Sequence, residues 1–243
     1  MALSINYFKG DLFGPVKADK SPGPIVIPHI VNSHGAWGAG FVVPLGRNFP
    51  KSRHSYLAWE DNRNKIHGED NNPPFALGET QFVNIDDRVF VANMIAQIMG
   101  GARPLFYNHL ARCMDSVAKF VKERNDAREH PAQIICPAFG SGLAGGNWAF
   151  IEQLIHDCWI RLGIPVSVYY LPGTLPEVEN RNRTPALSLK DACTTILGGV
   201  GAMSPELYGG ALQKIAEMTG RTVDEQFKSE VTECLKTLPC PLD

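Results

Sequence analysis

The sequence predicts an α/β protein: a mixed, mostly parallel sheet with helices on both faces, followed by a C-terminal helical extension. Strand-like apolar runs alternate with helical periodicity up to about residue 173, and this alternation is typical of parallel sheets with crossover helices. Two of the runs are separated only by residues 86–88, which predicts one antiparallel hairpin. Beyond residue 185 only helical signals remain.

Six apolar or alternating runs predict the strands: 3–8, 25–31, 79–85, 89–95, 133–136 and 166–171. Repeats of three and four apolar positions predict helices over 51–63, 104–125 and 147–162, and a short helix that begins near Phe41. Gly163 ends the third of them. The polar segment 14–24 is predicted to be an irregular link.

The chain divides into a main domain (1–173), a linker (174–185) and a helical extension (186–243). The stretch from Pro172 to Pro185 contains three prolines and no periodicity, which indicates a linker. In the extension, Ser188 begins one helical segment, and Ser204 caps a helix that runs to Thr219. A capping box, Thr222 to Glu225, begins the last helix. The extension is short, so we expect it to dock on the main domain.

Composition excludes several classes. Hydrophobic residues make up 44% and charged residues 20%, which is ordinary for a globular protein. The net charge of −2 gives no attraction to nucleic acid or anionic membranes, so we expect neither as a partner. No signal peptide or membrane-length run is evident, which predicts a cytoplasmic location with the nucleus left open.

The six cysteines form no CxxC pair and lie at no metal-ligand spacing, so we expect reduced thiols and neither a metal nor a cofactor. They are Cys113, Cys136, Cys158, Cys193, Cys234 and Cys240.

Two glycine-rich loops carry the strongest functional signal. Residues 33–41 follow the apolar run that ends at Asn32, and residues 138–146 follow the run that ends at Cys136. Small residues allow consecutive N–H groups to converge on an anion. Each loop alone could be a tight turn, but two such loops predict the opposite walls of one phosphate-binding cleft.

Polar side chains near the strand ends have two interpretations each. Asp11 could accept the amine of an adenine or cap the next segment. Asn32 could hold ribose hydroxyls or brace its own turn. His29 lies in the apolar run and is more often a core residue in such a place, whereas His34 lies in the loop and could titrate near neutrality.

Three aromatic residues near the loops could stack on a base or cover the core: Trp37, Phe139 and Tyr170.

Four segments, taken together and in order, resemble the macrodomain family, the ADP-ribose-binding fold. They are KGDLF (9–13), HIVNSHGAWGAGF (29–41), VANMIAQ (91–97) and PAFGSGLAGGNW (137–148). The resemblance runs from about Ile5 to Leu171 and implies a three-layer α/β/α domain. It is most similar to the branch that contains ADP-ribose 1″-phosphate phosphatases and ADP-ribosyl-glutamate hydrolases.

The resemblance implies that ADP-ribose or an ADP-ribosylated substrate is the ligand. It assigns Asp11 and Leu12 to adenine, Asn32 to the distal ribose, and Tyr170 to the adenine side. The first phosphate loop would comprise Gly38, Ala39 and Gly40 with Phe41 beside it, and the second Gly140, Ser141, Gly142, Leu143 and Ala144.

Catalysis is less well specified by the resemblance. The glutamate-directed hydrolases carry a Lys and Asp pair. In this sequence the position that matches the Lys holds Ala96 or Gln97, and the position that matches the Asp holds Ala144. Phosphatase-like members share a His before the Asn, which His29 matches, so His29 and His34 are the candidate catalytic residues. Two functions therefore stay open. The first is a hydrolase that acts at the distal ribose. The second is a non-catalytic ADP-ribose reader that uses the extension as its protein-binding surface. A third alternative is a fold of this type that binds another nucleotide or a nucleic-acid end.

Overall fold

The computed structural model describes residues 3–63, 72–126, 130–181, 189, 192–193 and 205–236. The strands are β1 (Asn6–Lys9), β2 (Ile25–Asn32), β3 (Thr80–Asn84), β4 (Val89–Gln97), β5 (Gln133–Pro137) and β6 (Val166–Tyr170). The helices are α1 (Phe13–Ala18), α2 (Val42–Asn48), α3 (Pro50–Asp61), α4 (Tyr107–Asp126), α5 (Trp148–Cys158), α6 (Pro176–Arg181), α7 (Pro205–Thr219) and α8 (Glu225–Lys236). A 3₁₀ turn, Ile160–Leu162, follows α5.

The strands form one six-stranded sheet in the order β1-β6-β5-β2-β4-β3. Its pairs are parallel except β3–β4, which is the predicted hairpin. The mixed, mostly parallel sheet is therefore confirmed. β2 lies between β5 and β4 and is buried along nearly its whole length, which explains why its sequence is an unbroken apolar run.

Side-chain alternation divides the core between the two faces of the sheet. Ile25 and Ile27 of β2 pack with α1 and α2 on one face. On the other face, the ring of Phe82 in β3 stacks on Phe120 of α4, with centroids 4.1 Å apart. Trp159, which follows α5, donates from Nε1 to the carbonyl of Met114 in α4 at 2.9 Å. Helices therefore cover both faces, as predicted.

Two segments predicted to be irregular contain helices. Residues 13–18 form α1 inside the predicted link, and residues 176–181 form α6 inside the predicted linker. Each helix has only six residues, which is too short for a periodic apolar pattern to stand out. The chain forms two compact units, Met1–Leu175 and Pro176–Asp243, so α6 belongs to the second unit.

The second unit has its own apolar cluster, which includes residues of α7 and α8. The helix α8 begins later than the predicted capping box. Asp224, and not Thr222, caps it: the Asp224 carboxylate accepts the N–H of Phe227 at 2.7 Å. The predicted Ser204 cap lies outside the described residues, as does most of the helical segment predicted from Ser188. Docking of the extension on the main domain stays a prediction.

Five of the cysteines form no disulfide among the described residues, and Cys240 lies outside those residues. Burial raises the pKa of the Cys113 and Cys158 thiols to about 12, so both are protonated at neutral pH. Within the described part of the chain, no helix has the length and apolar character needed to cross a membrane. The cytoplasmic location stays a prediction.

Candidate functional site

The two glycine loops meet at the carboxyl edge of the parallel strands. The first loop, residues 33–41, follows β2, and the second, residues 138–147, follows the adjacent strand β5. Gly40 has a φ of +75°, and a Cβ built on it would lie 3.5 Å from Cδ1 of Leu143. The sheet therefore places the two loops side by side, and their role as opposite walls of one cleft stays a prediction.

Asn32 holds the start of the first loop. Its Oδ1 accepts the N–H groups of His34 at 2.9 Å and Ala36 at 3.1 Å, and its Nδ2 donates to the Ala36 carbonyl at 2.7 Å. Tyr56 of α3 donates its hydroxyl to the Asn32 carbonyl at 2.6 Å. The side chain thus braces its own turn, which was the alternative interpretation. Its contact with a ribose stays a prediction.

Aromatic rings hold the end of the first loop. Trp37 and Phe41 flank Gly38–Gly40, and the centroid of each ring lies 5.7 Å from that of His29. The Phe41 ring also stacks on Phe13 of α1, with centroids 5.6 Å apart. The exposed segment Gly38–Gly40 therefore has a packed aromatic residue at each end, which limits how far the loop can move.

His29 lies beneath this loop and not in the cleft. It is only 1% exposed, and its Nε2 lies 2.6 Å from Oδ1 of Asn93 on β4. Burial lowers its pKa to about 4, against smaller opposing effects of Asn93 and the Ile30 backbone. The imidazole is therefore neutral at pH 7. A general base must reach its substrate or one intervening water, so the structure gives no support to His29 in that role.

His34 differs from His29 because it is exposed. Its Nδ1 lies 3.2 Å from the hydroxyl of Ser33, and its backbone N–H is held by Asn32. The side chain stands at the beginning of the first loop, where a group on a bound ligand could reach it. Of the two predicted histidines, His34 is the one with an exposed side chain, and its catalytic role stays a prediction.

The second loop is tightly folded at its base and open at its tip. Gly140 has a φ of +81°, and a Cβ there would lie 2.8 Å from Cδ1 of Ile151. Ser141 donates from Oγ to the Ala138 carbonyl at 3.2 Å. Ala144 is buried, whereas Leu143 is 75% exposed. The tip therefore presents backbone and one apolar side chain to solvent.

The residues assigned to adenine lie at the ends of β1 and β6. Asp11 accepts the N–H of Phe13 at 2.9 Å and so holds the start of α1, as the alternative interpretation had it. Leu12 is buried. Tyr170 is also buried, and its carbonyl accepts the N–H of Gly10 at 2.8 Å. Their contacts with adenine stay predictions.

The chain was compared with known proteins. No protein-family model matches it. A curated protein of Candida albicans (strain SC5314 / ATCC MYA-2876), named ADP-ribose 1″-phosphate phosphatase, is 38% identical over 157 residues, which cover 63% of this chain and 92% of that protein. The structure of a macrodomain protein from Streptomyces coelicolor is 35% identical with a TM-score of 0.54, and the match covers 68% of this chain and 98% of that one. The chain belongs to the macrodomain family.

The predicted resemblance is thus confirmed. A Thermosipho africanus DarTG structure, solved in complex with ADP-ribose, is 15% identical with a TM-score of 0.51, and the match covers 75% of this chain and 43% of that one. At this identity the match shows the fold alone. In this macrodomain the glycine loops occupy the edge of the sheet at which open α/β folds bind ligands.

The loops of this macrodomain contain no Lys or Arg within residues 33–41 and 138–147. These two loops would therefore offer an anion their backbone N–H groups and no lysine or arginine side chain. Within the described residues, no group of three His, Cys, Asp or Glu side chains is placed to hold a metal ion.

Sequence reasoning missed two side chains that shape the site. Tyr56 fixes the strand end at Asn32, and Gln81 on β3 donates to the Ser55 carbonyl while it bonds to Asn93. Tyr56 lies within the helix predicted over 51–63, and helical periodicity carries no signal for a hydrogen bond to the end of β2. The role of Gln81 depends on strand register, for which the sequence carries no local signal.

Proposed function

We propose that this macrodomain binds ADP-ribose or a derivative and releases phosphate from ADP-ribose 1″-phosphate. The observation that carries the proposal is the placement of the two glycine loops side by side after the adjacent strands β2 and β5, with Leu143 beside Gly40. Two adjacent loops with exposed backbone can hold a diphosphate from both sides. The 38% identical relative named ADP-ribose 1″-phosphate phosphatase supports the choice of ligand and reaction.

In the proposed reaction, a water oxygen attacks the phosphorus of the 1″-phosphate and the bond from phosphorus to the 1″ oxygen breaks. The products are inorganic phosphate and ADP-ribose, whose released oxygen takes a proton. His34, as the exposed histidine of the first loop, would accept the proton of the water. N–H groups of Gly38–Gly40 would stabilise the charge that develops on the phosphoryl oxygens.

A non-catalytic reader of ADP-ribose is the second candidate. Two observations favour it: alanine or glutamine stands where the related hydrolases carry their Lys and Asp pair, and His29 is buried. The second unit, with its own apolar cluster, would then supply the surface for a protein partner.

One experiment separates the candidates. The chain is incubated with ADP-ribose 1″-phosphate and, separately, with an ADP-ribosylated protein, and the release of phosphate and of ADP-ribose is measured beside ADP-ribose calorimetry. The phosphatase proposal predicts phosphate release that His34→Ala lowers by at least tenfold, without loss of ADP-ribose affinity. Binding without turnover of either substrate would establish the reader. Absence of binding would refute both.

Asp11→Ala provides a second test of the ligand. If Asp11 contacts adenine, the variant binds ADP-ribose more weakly, while its affinity for ribose 5-phosphate, which has no base, is unchanged.

A further inference from the structure

A row of three polar side chains crosses the sheet beneath the first glycine loop. His29 on β2 is paired with Asn93 on β4, which is paired in turn with Gln81 on β3. All three side chains are buried. His29 Nε2 lies 2.6 Å from Asn93 Oδ1, and Asn93 Nδ2 donates to Gln81 Oε1 at 2.9 Å. Such a row is stable only when each donor faces an acceptor.

Backbone carbonyls fix the direction of this row. Gln81 Nε2 donates to the Ser55 carbonyl at 2.9 Å, so Oε1 of Gln81 must face Asn93. Asn93 therefore turns its Nδ2 to Gln81 and its Oδ1 to His29. An acceptor at that place requires a donor, so the proton of the neutral imidazole resides on Nε2. Nδ1 then carries a buried lone pair for which no partner meets hydrogen-bond geometry among the described residues; the Ile30 backbone beside the ring is the smallest influence on its pKa.

The surroundings keep this imidazole neutral. Its contacts include Asn93 on β4, the backbone of Ile30 and the rings of Trp37 and Phe41 in the loop, none of which is charged. Tyr56 of α3 is the titratable side chain that packs on Trp37, and burial raises its pKa far above neutrality. A proton on Nδ1 would place an unpaired charge among these buried, uncharged groups, at a large cost in free energy.

We propose that His29 is a positioning residue: its neutral Nε2–H imidazole, oriented by Asn93 and Gln81, sets the first glycine loop through Trp37 and Phe41 and exchanges no proton with the substrate. The loop segment Gly38–Gly40 lies between the two aromatic residues that contact the imidazole. The inference rests on the proposed function, because it assumes that this segment holds the phosphates of the ligand.

The test uses three variants of the full chain. His29→Gln keeps an N–H for Asn93 but cannot accept a proton. His29→Ala removes both the donor and the ring. Gln81→Leu breaks the row two strands away from the loop. Gln153→Leu, an exposed glutamine of α5, is the matched control. Thermal unfolding of each variant shows that it is folded.

Positioning predicts that losses of turnover follow losses of ADP-ribose affinity. We expect His29→Ala to weaken affinity at least tenfold and Gln81→Leu at least threefold, with His29→Gln closer to the wild type than His29→Ala. A His29→Gln variant that binds normally but releases phosphate more than a hundredfold more slowly would overturn the inference, and so would unchanged affinity in the folded His29→Ala and Gln81→Leu variants.

Nitrogen-15 NMR of the histidine rings tests the inference even without turnover or binding. We expect His29 to be neutral with its proton on Nε2 at pH 6, and to lose that single tautomer in Gln81→Leu. A charged ring, or a proton on Nδ1 in the wild type, would overturn the positioning role. Failure of the wild type to bind ADP-ribose, with the expected NMR result, would instead refute the proposed function alone.

Discussion

Replacing Asn32 by alanine should destabilise the folded macrodomain before any ligand is added. Three hydrogen bonds are lost: two to Oδ1, of 2.9 and 3.1 Å, and one of 2.7 Å from Nδ2. At about 1 kcal/mol each, their loss lowers the free energy of unfolding by roughly 3 kcal/mol. For a chain of this size that corresponds to a fall in Tm of about 6–12 °C.

Thermal unfolding without ligand, followed by circular dichroism, measures this change. Asn84→Ala is the matched control, because Asn84 lies exposed at the end of β3 and its loss should change stability by no more than ~0.5 kcal/mol. If Asn32→Ala melts within about 2 °C of the wild type, the side chain does not brace the loop and this reasoning is wrong.

Three further predictions concern single positions. Gly40→Ala places a side chain at a φ of +75° and should lower the free energy of unfolding by about 1–2 kcal/mol, whereas Gly38→Ala, whose Cβ meets nothing within 4 Å, should not; equal denaturant midpoints would contradict this. Burial lowers the pKa of His29 from 6.5 to about 4, so between these pH values the imidazole is protonated in the unfolded chain and neutral in the folded chain. The free energy of unfolding therefore falls as the pH drops from 6.5 towards 4. This contribution totals about 3 kcal/mol and should vanish in His29→Gln, as unfolding measured across that pH range will show. Asp224→Ala should cost about 1 kcal/mol at the start of α8, and Thr222→Ala much less; the reverse order of their unfolding transitions would restore the predicted capping box.

The sheet could be predicted from the sequence because its strands are long apolar or alternating runs. The β3–β4 hairpin followed from two such runs and a three-residue polar turn. The short helix α1 could not, since six residues give no periodicity and its N-terminal partner, Asp11, was equally consistent with a ligand contact. The start of α8 was misplaced because Thr222 and Asp224 are both good caps, and only the backbone path decides between them.

The sequence predicted where the backbone of the two glycine loops lies, but not which contacts the polar side chains beside them make. Glycine spacing after two buried strands was enough to bring the loops together. The residues that surround His29 depend on which face of β2 it occupies, and its bond to Asn93 depends on the register of two strands distant in sequence. A strand shifted by one residue would reverse that face, and the sequence does not specify register locally.

The central claim is that the two glycine loops form one ADP-ribose cleft. Two-dimensional amide NMR of the full chain during titration with ADP-ribose tests it most directly. We predict that the amide signals of Gly38–Gly40 and of Gly140–Ala144 shift together, with one saturation curve. Shifts confined to one loop, or no saturable shift in either, would contradict the claim.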